Sequence, residues 1–338
     1  MLLTRRRLLH SCAAGAVALL GWPAGAQDRA APRPAPAPSG GTWPNKPLRL
    51  LVGFPAGASP DLAARAVAEP LGRLLGQPVL VENKPGASGN HAALEVAQAR
   101  DEHTLGALIN GNMTIARLLD PKTPFDPEKD FAPVGLMGTA PLVLAVSGQA
   151  AGKTPAELLL WARNQGTDAK YGTPGNGTVG HLGMELLKMR ISIRAEHKPF
   201  SGNPQVIEAM LKGEIQMALL PPGLAAPHIQ AGKLKMIGIT SPERSPLTGD
   251  WPTLREADVR GADLEIWTAL AAPATLPAAH VHKLNAALSQ VLRSEPVVQA
   301  LLKAGWQARG GDSDVLARRM RSDTSTLGGV ILMRGIKT

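Results

Sequence analysis

The chain of 338 residues contains a single cysteine, Cys12, and it falls in the first segment, so no disulfide framework and no cysteine metal site can hold the fold. Aromatic residues are scarce: four Phe, one Tyr and six Trp. Sugar sites lean on aromatic platforms, and this scarcity tilts the reading away from a carbohydrate ligand. No apolar run approaches the roughly 20 residues of a membrane span. No Lys/Arg block is interleaved with aromatics, so nucleic acid is not an expected partner. No His-Glu-x-x-His spacing occurs, and His280/His282 and His91/His103 lack metal-ligand spacing, so no metal and no cofactor are expected. Gly86-Ala87-Ser88-Gly89 is not a nucleophile elbow, and the acids Asp126, Glu128 and Asp130 flank Lys129 in a polar turn. No catalytic constellation can be singled out, and an enzyme is not expected.

What is present begins with a leader. Thr4-Arg5-Arg6-Arg7-Leu8-Leu9 is basic, Ala13 to Leu20 is apolar, and Ala24-Gly25-Ala26 precedes Gln27 with small residues. Residues 1–26 thus read as a cleaved export signal, by the general secretory route or, on the Arg5-Arg6 pair, the twin-arginine route. Residues 27–42, rich in Ala, Pro and Gly, read as a disordered linker. About 295 residues remain, enough for two ordinary domains. The net charge of +9 falls to 9 − 3 = +6 without the three leader arginines, a modest positive balance that suits an anionic ligand as well as solubility.

Short apolar runs alternate with helix-period stretches, the pattern of an α/β fold. Strands are expected at 48–53, 78–82, 104–109, 132–137, 141–146, 214–220 and 234–240. Helices are expected at 61–75, 89–99, 154–165, 178–189, 203–212, 277–293, 296–304 and 313–322. Residues 241–263, with Pro242, Pro246, Gly249, Pro252 and Gly261, read as a long surface loop. No internal repeat is visible.

Two strand–loop–helix junctions carry the functional reading. Leu48 to Gly53 leads through Phe54-Pro55-Ala56-Gly57-Ala58-Ser59 into a helix opened by Pro60, with Ala63, Ala64, Val67, Leu71, Leu74 and Leu75 as its apolar stripe. Asp61 or Ser59 is placed to cap that helix. Further on, Gly172-Thr173-Pro174-Gly175-Asn176-Gly177-Thr178 precedes a second helix. Such junctions aim free backbone N–H groups and a helix dipole at an anion. Candidate ligand-binding residues are therefore Phe54, Ala56, Gly57, Ala58 and Ser59 in the first loop, and Thr173, Gly175, Asn176, Gly177 and Thr178 in the second. Asn110 and Asn112, after the run ending at Ile109, and Ser201 and Gly202, before Pro204, follow the same logic at two other strand ends.

A set of blocks in order resembles a known family. They are Trp43-Pro44-Asn45-Lys46-Pro47 with Phe54-Pro55-Ala56-Gly57; Val81-Glu82-Asn83-Lys84-Pro85-Gly86-Ala87-Ser88-Gly89-Asn90; Asp126 to Val134; Tyr171-Gly172 with Gly175-Asn176-Gly177 and His181-Leu182; Pro227 to Leu234; Thr240 to Pro246; and Leu270 to Pro273. From about residue 43 onward the chain resembles the Bug family, periplasmic solute receptors of tripartite tricarboxylate transporters. The resemblance implies a two-lobed, type II periplasmic-binding-protein fold with a ligand cleft between two α/β domains. An outer lobe would comprise 43–142 and 266–338, and an inserted inner lobe 143–265. It implies a small organic carboxylate ligand, membrane transporter subunits as partners and a periplasmic location. The alternative is a sensory receptor that reports to the outer domain of a sensor kinase without transport. Where family members often carry Tyr-Lys-Gly, this chain has Phe200-Ser201-Gly202, and Gln216 to Pro222 lacks the acids often found there. An acid there could meet a ligand amine, so its absence disfavours an amino-acid ligand.

Overall fold

Leu48, Leu50, Leu51 and Val52 are all fully buried, as a central parallel strand covered on both faces requires. The computed structural model describes residues 43–337; the signal expected at 1–26 and the linker expected at 27–42 lie outside the described residues. The chain runs β1 (Leu48–Val52), α1 (Ser59–Leu75), β2 (Val79–Asn83), α2 (Asn90–Gln98), β3 (Thr104–Ile109), a one-residue-wider turn at Gly111–Ile115, α3 (Ala116–Leu119) and β4 (Phe131–Pro141). It continues through β5 (Val143–Ser147), α4 (Pro155–Asn164), β6 (Lys170–Thr173), α5 (Val179–Ile191), β7 (Glu196–Pro199), α6 (Asn203–Leu211), β8 (Met217–Leu220), α7 (Pro222–Gln230) and β9 (Leu234–Ile239). Last come β10 (Glu265–Pro273), α8 (Ala278–Val291), α9 (Glu295–Lys303), β11 (Gln307–Gly310) and α10 (Ser313–Arg334).

Two mixed sheets result, as the α/β pattern predicts. The first has the order β11-β4-β10-β3-β1-β2 and the second β7-β6-β8-β5-β9. β1 pairs in parallel with β2 and β3, and β6 pairs in parallel with β7 and β8; β4, β5 and β10 run antiparallel to their neighbours. The chain passes between sheets at Pro141–Leu142 and returns before Glu265, whose register partner is Pro141. Buried Thr240 stitches the two passages together. Its Oγ1 accepts the Leu142 N–H at 2.9 Å and donates to the Leu264 carbonyl at 2.6 Å.

Several elements depart from expectation for identifiable reasons. α1 has the predicted stripe, but Leu74 is 43% exposed and belongs to the solvent face. Segment 241–263 is not simply a surface loop: Thr253 bridges to Ile239, and Leu254, Val259 and Ala262 are buried in the core under the second sheet. The helix expected at 313–322 runs on to Arg334 through Gly328-Gly329, because Leu327 and Ile331 find a core to fill. Its earlier residues Leu316 and Met320 pack on the first sheet, so α10 is rooted in both cores. Strands β6, β7 and β11 and helix α7 are too short or too proline-rich to show a period.

Candidate functional site

Every parallel strand except β2 delivers its carboxyl end to one place. β1 opens into α1, β6 into α5, β7 into α6 and β8 into α7, with the end of β3 alongside, and the residues at these junctions line one cavity of about 370 Å³. The carboxyl edge of a parallel sheet is where ligands sit in open α/β folds; here two such edges face each other.

The first loop is held by its own chemistry. A Cβ on Gly53 would come within 2.5 Å of the Gly89 backbone, so only glycine permits that approach. Asp61 stands three positions past the N-cap, which is Ala58, and its carboxylate reaches back to accept the Gly57 N–H at 2.8 Å. It also accepts from Arg65 at 3.0 Å and Asn83 at 2.8 Å. Burial alone would push the Asp61 carboxyl up, but these donors outweigh it and hold it below the ordinary range. Trp306 Nε1 donates to the Ser59 carbonyl at 2.8 Å and fixes the helix start from the other side.

In the second loop Thr178 caps α5. Its Oγ1 accepts the His181 N–H at 3.4 Å and donates to the Gly175 carbonyl at 2.9 Å. Gly177 has φ +69°, and a Cβ there would lie 2.0 Å from Leu119 Cδ1. Behind this loop the His181 and His197 rings stack with centroids 3.9 Å apart, and His197 stacks on Tyr171 at 5.0 Å. Desolvation pushes both histidines down to about 4. Beneath them the Tyr171 hydroxyl donates to Glu185 at 2.6 Å. Burial alone would push the Glu185 carboxyl up, but hydrogen bonds from Lys188, Tyr171 and Arg334 outweigh it and hold it at about 2. Across the cleft, Ser88 Oγ donates to the Asn176 carbonyl at 3.2 Å, joining a first-sheet loop to a second-sheet loop.

Of the sequence-predicted site residues, Phe54, Ala56, Gly57, Ala58, Ser59, Asn110, Thr178, Ser201 and Gly202 line this cavity. Asn112 does not; it is buried and its amide donates to the Ser88 carbonyl at 3.1 Å and Asn90 Oδ1 at 2.8 Å. Thr173 is also buried, with Oγ1 between the Gly175 carbonyl and His197 Nε2, and it shapes the loop from behind. Gly175 lies outside the lining, while Asn176 and Gly177 face an adjoining cavity of about 350 Å³ together with Asn112. The sequence reading missed Asn203, Gln205, Leu219, Leu224, Ile266 and Trp306. Leu219 sits at a strand's carboxyl end and was findable by that rule; Trp306, hundreds of residues from its partner Ser59, left no local signal. No Lys, Arg, Asp, Glu or His side chain among the described residues lines the cavity. Among the described residues, no group of three or more His, Cys, Asp or Glu is placed to hold a metal ion.

Comparison with known proteins gives one consistent answer. Residues 63–336 match the model of the tripartite tricarboxylate transporter family receptor, TctC. A UPF0065 protein from the tcbD–tcbE intergenic region of a Pseudomonas species is 30% identical over 285 residues, covering 83% of this chain and 84% of that one. The malate-bound MatC of Rhodopseudomonas palustris is 31% identical with a TM-score of 0.77, covering 86% of this chain and 100% of that one. An adipate-bound R. palustris protein is 27% identical with a TM-score of 0.81, covering 87% and 99%.

Proposed function

The chain belongs to the tripartite tricarboxylate transporter receptor family, whose members are periplasmic solute-binding proteins, and on that premise we propose that it captures a small organic carboxylate in the 370 Å³ cavity and delivers it to the membrane subunits of a tripartite transporter. One observation carries the reading: the starts of α1, α5, α6 and α7 converge on a single cavity that no charged side chain lines. An anion there is held by main-chain N–H groups and helix dipoles, each charge-assisted hydrogen bond contributing roughly 1.5–3 kcal/mol. The malate and adipate carried by two solved relatives support an acid as the ligand class.

Residues 1–26 direct export to the periplasm in this reading. The outer lobe comprises 43–142 and 266–338 and the inner lobe 143–265. Ser59, Thr178, Ser201 and the amides around them form the binding set, one part from each lobe. The solute docks on one set, and closure adds the other, so the closed form binds more tightly and becomes the state offered to the transporter.

Mass spectrometry of the acid that co-purifies, followed by uptake into vesicles carrying the membrane subunits, tests this. Uptake that depends on the loaded receptor is the expected result. A neutral compound saturating the cavity, with no organic acid binding, would refute it.

A further inference from the structure

Beside the first cavity lies the second, of about 350 Å³, and the two share Ile109 and Thr178 in their linings. Their chemistry is opposite. In the first, donors remain on both sides: the Ala56 and Ser59 N–H groups and the Ser59 hydroxyl around the start of α1, and the Val179 and Gly180 N–H groups at the start of α5.

The second cavity has spent its side-chain hydroxyls and kept a negative charge. Ser88 Oγ donates to the Asn176 carbonyl, the Asn112 amide donates to Ser88 and Asn90, and Thr178 Oγ1 donates to Gly175. The Gly177 N–H is taken by His181 at 3.1 Å. Of the polar side chains, the neutral amides of Asn90 and Asn176 and the carboxylate of Asp120 remain. Asp120 follows α3, and its Oδ1 accepts the Lys122 N–H at 2.9 Å. Among the described residues no Lys or Arg forms an ion pair with it: Arg117 reaches Asp126 at 3.1 Å, and Lys122 is exposed. Leu119, next to Asp120, packs on Gly177, which brings this stretch alongside the loop before α5.

A carboxylate entering the second cavity would face the Asp120 charge with no cation to offset it, and like charges brought together out of water repel. An ammonium there gains an opposite charge and charge-assisted hydrogen bonds. The segment Gln216 to Pro222 lacks acids and meets the first cavity with Leu219 and Pro221, so an amine beside the ligand's carboxylate finds no counter-ion there. An amine at the far end of the molecule finds Asp120. Building on the carboxylate-receptor reading above, we infer that the second cavity is a cation subsite with Asp120 as its counter-ion, and that the ligand class is an ω-amino acid. Its carboxylate lies in the first cavity, its chain passes Ile109 and Thr178, and its ammonium lies at Asp120.

Two matched series test the inference on the ligand-stripped mature protein by calorimetry: hexanoate, 6-aminohexanoate and adipate, then octanoate, 8-aminooctanoate and octanedioate. In at least one series the amino acid is expected to bind at least about tenfold more tightly than the plain acid and the diacid. No preference for the amino acid at either length, or a preference for the diacids, overturns the inference and leaves the carboxylate reading standing. If no compound of either series binds, that reading falls and the inference falls with it. Asp120→Asn keeps an oxygen for the Lys122 N–H and removes the charge. It is expected to erase the preference while leaving the affinity for the plain acid within about twofold. A folded variant, checked by circular dichroism, that keeps the preference would overturn the role of Asp120.

Discussion

His181 Nδ1 accepts the amide proton of Gly177 at 3.1 Å while its ring stacks on His197, so the backbone of the loop before α5 is tied to a neutral imidazole. The surrounding charges are Glu185, Lys188 and Arg334, with Tyr171 stacked beside both rings. Protonating Nδ1 would remove the acceptor that holds Gly177.

Both imidazoles therefore titrate near 4 in the folded protein and near 6.5 in the unfolded chain. Between those values the unfolded chain binds more protons, so the stability is fully present above about pH 6.5 and drains away as pH falls toward 4. Glu185 acts in the same direction lower down: its contribution is present above about 4.5 and lost as pH falls through about 2. Urea unfolding at pH 7.5 and pH 5 should show a loss of about 4 kcal/mol on acidification, about 2 kcal/mol from each histidine. His197→Phe, which keeps an aromatic stack, should shrink that loss by roughly half. A pH-independent midpoint for the unaltered protein would contradict the assignment.

Ser88 bridges the cleft with a single hydrogen bond to the Asn176 carbonyl, and it does so from a left-handed backbone conformation, φ 55°. Strain of this kind collects at functional clamps. Ser88→Ala deletes the bond and leaves the backbone as it is. A loss of about 0.5–1.5 kcal/mol corresponds to ligand dissociation faster by roughly 2- to 12-fold, readable by stopped-flow fluorescence. An unchanged off-rate would show that the bridge plays no part in retention.

Thr178 and Ser59 separate capping from binding. Thr178→Ala removes the cap of α5 and should cost about 1 kcal/mol of stability as well as affinity for the identified acid. Ser59 lines the cavity from the other wall, and Ser59→Ala should weaken binding with stability within about 0.5 kcal/mol of the parent. Calorimetry alongside chemical unfolding distinguishes the two; unaltered affinity in both variants would move the site elsewhere.

Leu327 is fully buried among the side chains beneath the second sheet. Leu327→Ala should lower stability by about 2–4 kcal/mol. Leu332, 79% exposed on the same helix, should tolerate alanine within about 0.5 kcal/mol. Similar effects at both positions in chemical unfolding would mean that α10 does not dock as described.

The legible parts of the fold were those where local and tertiary demands agree. Ala63, Ala64, Val67, Leu71 and Leu75 recur at helical spacing and all are buried under one sheet. The loops 54–59 and 174–178 announced themselves because glycine and a proline-started or threonine-capped helix follow an apolar run. Asn112 has a residue type that suits a ligand contact; its amide serves Ser88 and Asn90, and it faces the adjoining cavity. The full length of α10 was hidden, since Gly328-Gly329 signals a stop, and only contact with another part of the chain overrides it. A Cβ on Gly328 would already crowd Leu118 Cδ1 at 3.0 Å, so that glycine marks close packing and not a helix end.

That same helix sets a mechanical condition on the whole molecule. Two covalent passages alone, at Leu142 and Leu264, would leave the sheets free both to swing and to twist about each other. α10 supplies a third connection away from that pair, anchored by Leu316 and Met320 at one end and by Leu327, Ile331 and the Arg334–Glu185 ion pair at the other. A rod seated in both cores resists torsion of one sheet against the other, so on the proposed two-lobe closure it would narrow the opening toward a single swing.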